Sequence, residues 1–325
     1  MSPQDNDGHC GFDTLFKTNV LHILEDIFFS SDYKSFKTCS EVSKAWNQLF
    51  SSVTFQRKLE ELLIEKKKNE KKLHLASQEG DIAEARRLIC SLMVNVNTVE
   101  GNTQFSLIKG TPLCKAAEKG HLDMVQLLLH NGAKVDKADK DGNTPLKIAA
   151  RHGNLDIVRT LISEGADFEM ANGSGITPLT TAAGSGHLDV VKFLVHSGAD
   201  VNKSEKEAPT PLHCAADGHL DVVEYLLHRG ADVEKADRCG GRALFWAAHN
   251  CHQDVVQVLL DNEAEIDSTD VGGNNALHQA SEGGGTEVVK LLLERGADPN
   301  KANNDGDAPL HKVFMLVREV SEHPI

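Results

Sequence analysis

From Thr111 onward the apolar positions of this chain fall into a fixed rhythm. The segments opening at Thr111, Thr144, Thr177 and Thr210 align by eye, with a period of 33 residues. Each begins Thr-Pro-Leu, runs through a pair of alanines, breaks at a glycine and resumes at Leu-Asp. Apolar side chains follow at helical spacing, as in Val190, Val191, Phe193 and Leu194, until Gly198-Ala199 closes the unit and a polar turn leads to the next Thr-Pro. The spacing predicts two short helices per unit. Thr is a good N-cap, and Pro fits the first helical position because its missing N–H had no partner there. The mid-unit glycine ends the first helix, and small alanines let neighbouring helices approach closely. One such unit cannot bury its apolar face alone, whereas several stacked units share a continuous core.

The rhythm continues in degraded form at Ala243-Leu244, Ala276-Leu277 and Pro309-Leu310, and appears upstream at Leu73, giving seven recognisable units and a cut-off eighth. The departures are informative. The step from Leu73 to Leu113 is 40 residues, which predicts a seven-residue insertion within residues 95–109. The unit from Thr210 is one residue short at Ala216-Asp217-Gly218. Arg242 and Asn275 replace the capping Thr and Cys251 replaces the loop Gly, so these units are expected to be less stable, by about 1 kcal/mol for a lost cap. In the last unit Val313-Phe314 replaces the alanine pair.

This pattern resembles the ankyrin repeat over residues 73–325. The resemblance implies an all-α fold, a solenoid of helix-turn-helix units with β-turn or hairpin loops. It further implies a protein-binding role in which a partner lies on the concave side, against the turn tips and the first helices. Carried onto this chain, the variable positions include Lys140, Asp141, Asn143, Ser174 and Arg238 in the turns, and Arg151, His152, His249 and Asn250 on the first helices. Lys140, Arg151 and His152 make a cationic cluster beside acidic turns. Phe245 and Trp246 are large enough to anchor a partner, but their register places them in the core.

Upstream of the array the pattern changes. Residues 1–14 are polar and are expected to be a disordered tail. Residues 15–60 show apolar positions at helical spacing, first Val20, Ile23, Leu24, Ile27 and Phe28, then Phe36, Val42, Trp46 and Leu49, with a turn at residues 30–34. This predicts a small bundle of three short helices. The order ILEDIF, DYKSF, VSKAWNQL resembles an F-box. In that family the motif docks the Skp adaptor of a cullin-type ubiquitin ligase, which would make Val20, Leu21, Leu24, Ile27 and Phe28 the adaptor-binding surface. The usual Leu-Pro falls on Val20-Leu21, without the Pro, and the Leu expected before the Asp is Ser31. The competing expectation is a helical cap for the array, with no ubiquitin role. Residues 61–72 read as a charged helical linker, in which KKKNEKK is interleaved with glutamates and suits a solvated helix face better than a nuclear signal.

Charge narrows the function classes. The first 72 residues hold 11 Lys and Arg against 11 Asp and Glu, so the rest of the chain carries the whole net −14. An acidic body argues against nucleic-acid binding, whose affinity comes largely from neutralising phosphates. No apolar run reaches the roughly 18 residues a membrane span needs. The 7 cysteines are odd in number, irregular in spacing and without CxxC, so a reducing, cytoplasmic or nuclear setting is expected, and a monomer.

Several constellations look chemical and are better explained by the repeat. His121/Asp123, His187/Asp189 and His219/Asp221 have the composition of acid–base pairs, yet share one repeat position at the turn between helices. Cys239, His249, Cys251 and His252 could be imagined around zinc, but their spacing fits no compact motif. Gly283-Gly284-Gly285 lacks the Lys-Ser/Thr of a phosphate loop and is expected to loosen its inter-helix loop. No catalytic residue, metal or cofactor is expected.

Overall fold

The computed structural model describes residues 53–91, 94–99, 110–205 and 208–309. The tail at residues 1–14, nearly all of the F-box-like segment with Val20, Leu21, Leu24, Ile27 and Phe28, the centre of the insertion (100–109) and the cut-off eighth unit from residue 310 lie outside them. Among the described residues the chain forms fourteen α-helices and no strand. The described residues divide into two compact units: those from 53 to 73 with 86–95, and those of 74–85 with 96–309.

In the first unit the described backbone is helical apart from residues 94–95. Helix α1 spans Val53–Glu79 and α2 spans Ile82–Ser91, so each begins or ends in the other unit. The linker and the first helix of the first repeat are thus one helix of 27 residues. Nothing between Val53 and Glu79 is a Gly or Pro, and Lys, Glu and Leu are good helix formers. The break comes at Gly80, with φ of 75°. Arg57 and Glu61 pair at 3.8 Å on its exposed surface.

In the second unit the helices come in pairs. The first helices are α3 (Pro112–Lys119), α5 (Pro145–Arg151), α7 (Pro178–Gly184), α9 (Pro211–Ala215), α11 (Ala243–His249) and α13 (Ala276–Gly283). Their partners are α4 (Leu122–His130), α6 (Leu155–Ser163), α8 (Leu188–His196), α10 (Leu220–His228), α12 (Gln253–Asp261) and α14 (Thr286–Glu294). Each first helix packs on the next first helix, and each second helix on the next second helix.

The core is the repeated apolar set. Leu113, Leu146, Leu179, Leu212, Leu244 and Leu277 are no more than 1% exposed, and the alanine pairs of α3, α5, α7 and α11 are wholly enclosed. On the second helices Leu128, Leu161, Leu194, Leu226, Leu259 and Leu292 are equally sealed. Each such leucine contributes about 2 kcal/mol relative to an exposed one.

The capping logic holds with one correction. Thr111, Thr144, Thr177 and Thr210 accept through Oγ1 from the backbone N–H three residues on, at 3.2–3.4 Å. Arg242 makes no such bond. Asn275 was expected to weaken its unit, but its Oδ1 accepts from His278 N at 3.1 Å and the pair closes a capping box. Asn is as good an acceptor at an N-cap as Thr, so that unit carries no such penalty.

Among the described residues, two other than glycine sit in the left-handed region, Cys251 at φ 62° and Glu263 at φ 67°. Both lie in the unit that lacks a cap.

Candidate protein-interaction face

The recurring polar residues are committed within the stack. His121 Nε2 bonds Gln78 O at 3.0 Å, His187 bonds Arg151 O at 3.0 Å and His219 bonds Gly184 O at 3.2 Å. In the intervening unit Asn154 Nδ2 donates to Ala117 O at 2.9 Å. Each ties the start of a second helix to the last turn of the preceding unit's first helix, a structural role as the register predicted. His252 breaks the series, because the unit before it lacks a residue at that loop. It lies 4.0 Å from the Asp217 carboxylate instead.

The turns are built the same way. Asp139 Oδ1 accepts from Asp141 N at 2.9 Å and Asn143 N at 2.8 Å, and Asn172, Asp237, Asp270 and Asn303 repeat the bond four residues on. Between turns, Asn172 Nδ2 donates to Asn143 Oδ1 at 3.2 Å and Asn303 to Asn274 at 2.9 Å. A second ladder runs alongside: Asp136 accepts from Asp167 N, Glu169 from Asp200 N, Asn202 from Asp232 N and Glu234 from Glu265 N. The Asp136 carboxyl is raised above its ordinary pKa, chiefly by burial.

The sequence-selected contact residues separate accordingly. Lys140, Asp141, Ser174 and Arg238 are exposed at turns, and Arg151, His152, His249 and Asn250 are exposed at the ends of first helices. Asn143 is half-buried, and its amide serves its own turn and the next. Asn250 Nδ2 donates to Asp217 Oδ1 at 2.7 Å, spanning two units.

The structure adds a row that the sequence reading passed over. Four residues after the caps from Thr144 onward stand Ile148, Thr181, Cys214, Trp246 and Gln279, all half-exposed on consecutive first helices. Phe245 is buried as its register requires, at 4%. Trp246 is not: its Nε1 donates to Asp237 Oδ2 at 3.2 Å and its edge meets His213 at 6.3 Å. The signal was available, since this slot changes from unit to unit while the leucine two residues before it and the alanine after it recur. Lys115 and Lys147, 4% and 6% exposed, are a second omission, because buried lysines are not expected in a core of leucine and alanine.

The chemical constellations dissolve. Cys239 is at a turn tip, while Cys251 Sγ donates to Gly283 O at 3.3 Å. Among the described residues no group of three or more His, Cys, Asp or Glu is placed to hold a metal ion. Burial pushes the Cys214 thiol up to about 11 and raises that of Cys114, so neither forms a ready thiolate. Two of the three glycines are closely approached, while a Cβ on Gly284 would meet nothing within 4 Å. A Cβ on Gly283 would lie 2.0 Å from His249 O, and one on Gly285 2.6 Å from Cys251 Sγ. No helix among the described residues is long and apolar enough to cross a membrane.

A stack of paired helices whose shared polar groups join unit to unit, while its variable groups face outward, defines an interaction scaffold. A family model described as "Ankyrin repeats (3 copies)" matches residues 54–136, 73–172, 162–237 and 234–303, and the chain belongs to the ankyrin-repeat family. Comparison with curated proteins returned no match.

Proposed function

We propose that this chain is a non-enzymatic adaptor whose repeat stack holds a protein substrate while residues 20–28 dock the Skp adaptor of a cullin-type ubiquitin ligase. What carries the stack's part is the division of labour among polar residues. Those that recur are bonded within the stack, and the half-exposed row from Ile148 to Gln279 is left to a partner. The adaptor-docking part rests on the ILEDIF–DYKSF–VSKAWNQL order. Such a receptor performs no chemistry; it raises the effective concentration of substrate beside the transferase.

The experiment is a pull-down of the full chain with purified Skp adaptor. Binding lost on combining Leu24→Asp with Ile27→Asp, with the helical circular dichroism of the array unchanged, supports the reading. Absence of binding at tens of micromolar protein, roughly 6–7 kcal/mol of affinity, sinks the ligase role and leaves an ankyrin scaffold.

A further inference from the structure

Three residues after each cap, most units place a side chain that serves the stack. His213 Nε2 bonds Gly241 O at 3.0 Å, His278 Nε2 bonds Asp307 O at 3.0 Å, and Thr180 Oγ1 meets Thr177 Oγ1 at 3.0 Å. Phe245 fills the slot with apolar bulk. Lys147 is different. It is 6% exposed and brings an ammonium that pairs with no described group.

Its surroundings increase the cost. Arg151, one turn further along α5, adds a second positive charge and has no ion pair among the described residues. The nearby acid is Asp139, whose carboxylate is occupied by its own turn, Oδ1 by two backbone N–H groups and Oδ2 by Asn143 Nδ2 at 3.1 Å. Burial first, then the charge of Arg151, draw the Lys147 pKa down to about 8 against the weaker pull of Asp139. The folded chain therefore holds two like charges one helical turn apart with only partial relief from Asp139, and an anion seated between them would recover that cost.

We propose that Lys147 and Arg151 form a clamp for a single carboxylate of an acidic segment in the protein partner. This rests on the reading of the stack as protein-binding and names the chemistry it selects. Three observations favour an acidic peptide over other anions. The chain carries −14, which opposes a heavily charged polyanion such as nucleic acid far more than a segment offering one carboxylate. The guanidinium offers a planar fork and the ammonium a point donor, so the two can meet both oxygens of a carboxylate. Ile148, half-exposed between them in sequence, begins the row through Thr181 and Cys214 to Trp246, so a peptide fixed by its acid at this end has uncharged surface to lie along.

The test uses the full chain and a blocked, fluorescein-labelled decapeptide of alternating Glu and Ala, with its Gln counterpart and inorganic phosphate as controls. The Glu peptide is expected to bind in a salt-sensitive way and the Gln peptide far more weakly. Lys147→Met and Arg151→Gln should each weaken binding about tenfold or more. Neither should lower the thermal midpoint, since Lys147→Met removes a buried charge from a slot that takes Phe and Thr elsewhere and Arg151 is exposed. The Lys147 pKa, followed by NMR of the 13C-methylated chain, should rise on adding the Glu peptide. Equal binding of Glu and Gln peptides, wild-type affinity in Arg151→Gln, or full competition by millimolar phosphate would overturn the clamp. Skp-adaptor binding by the same preparation reports separately on the wider reading, so the two can fail independently.

Discussion

Glu263 offers the cleanest measurement of stored backbone strain in this molecule. It ends α12 at φ 67°, where the corresponding residues of other units are Gly132, Gly165, Gly198, Gly230 and Gly296 at φ 83–105°. A side chain in that conformation costs roughly 1–2 kcal/mol, because Cβ crowds the following carbonyl. Replacement by glycine returns that cost but adds conformational freedom to the unfolded chain, worth about 0.5–1 kcal/mol. The side chain is exposed, and no bond to it among the described residues is lost. Glu263→Gly should therefore stabilise the array by about 0.5–1 kcal/mol. Glu263→Ala keeps the Cβ and should leave stability within about 0.5 kcal/mol of the parent. Urea unfolding followed by circular dichroism measures both, and amide exchange in residues 253–275 localises the gain. A midpoint for the glycine variant at or below that of the alanine variant would refute the reasoning.

His74 should make the array acid-sensitive. Burial, then Lys115, lower its pKa from 6.5 to about 4, so the unfolded chain binds the extra proton across that window. Its contribution, on the order of 3 kcal/mol, is fully present above pH 6.5 and is lost as pH falls toward 4; His74→Leu should flatten that part of a denaturation series. Gly175→Ala should cost about 2–3 kcal/mol in urea unfolding, because at φ 81° its Cβ would lie 2.2 Å from the backbone oxygen of Glu205. Gly285→Ala should destabilise the parent by about 1–2 kcal/mol through its 2.6 Å approach to Cys251 Sγ, and much less in a Cys251→Gly background. A double-mutant cycle with coupling below about 0.5 kcal/mol would contradict that contact.

The fold was legible because its determinants recur. Thr caps, Pro at the first helical turn, the alanine pair and the closing glycine appear often enough to fix both helices of a unit from sequence. The interaction face was only partly legible. Exposed turn residues such as Lys140 and Arg238 follow from register alone. Trp246 does not, because its slot lies between buried neighbours and only packing decides which side of the helix opens. Lys147 was hidden for the opposite reason, since it looks like an ordinary surface lysine until the folded stack leaves it only 6% exposed. Asn275 was misread by treating a change of residue as a loss of capping. Glu263 was readable in principle, as Asn-Glu-Ala stands where other units have Gly-Ala.

The irregular units between Thr210 and Gly285 also show when a change toward the repeat pattern should help. Each inter-helix loop is covered by the next unit, so a departure in one is met by a side chain or a glycine in the following one. The missing residue at Asp217-Gly218 leaves His252 without its usual carbonyl, and it turns to the Asp217 carboxylate. Cys251, in the left-handed loop position, packs its sulfur on Gly283 O and closes the space beside Gly285. Arg242, without a capping side chain, pairs with Glu234 at 2.8 Å and donates to Thr269 O at 3.3 Å. Restoring Thr at 242 would gain about 1 kcal/mol of capping and give up a half-exposed ion pair of up to about 1 kcal/mol, so little net change follows. Restoring Gly at 251 relieves strain but empties a packed site. Position 263 is different because its side chain meets nothing across the interface. The gain from regularising this array is therefore set by what the next unit has built against each departure, not by how far the residue strays from its neighbours in the repeat.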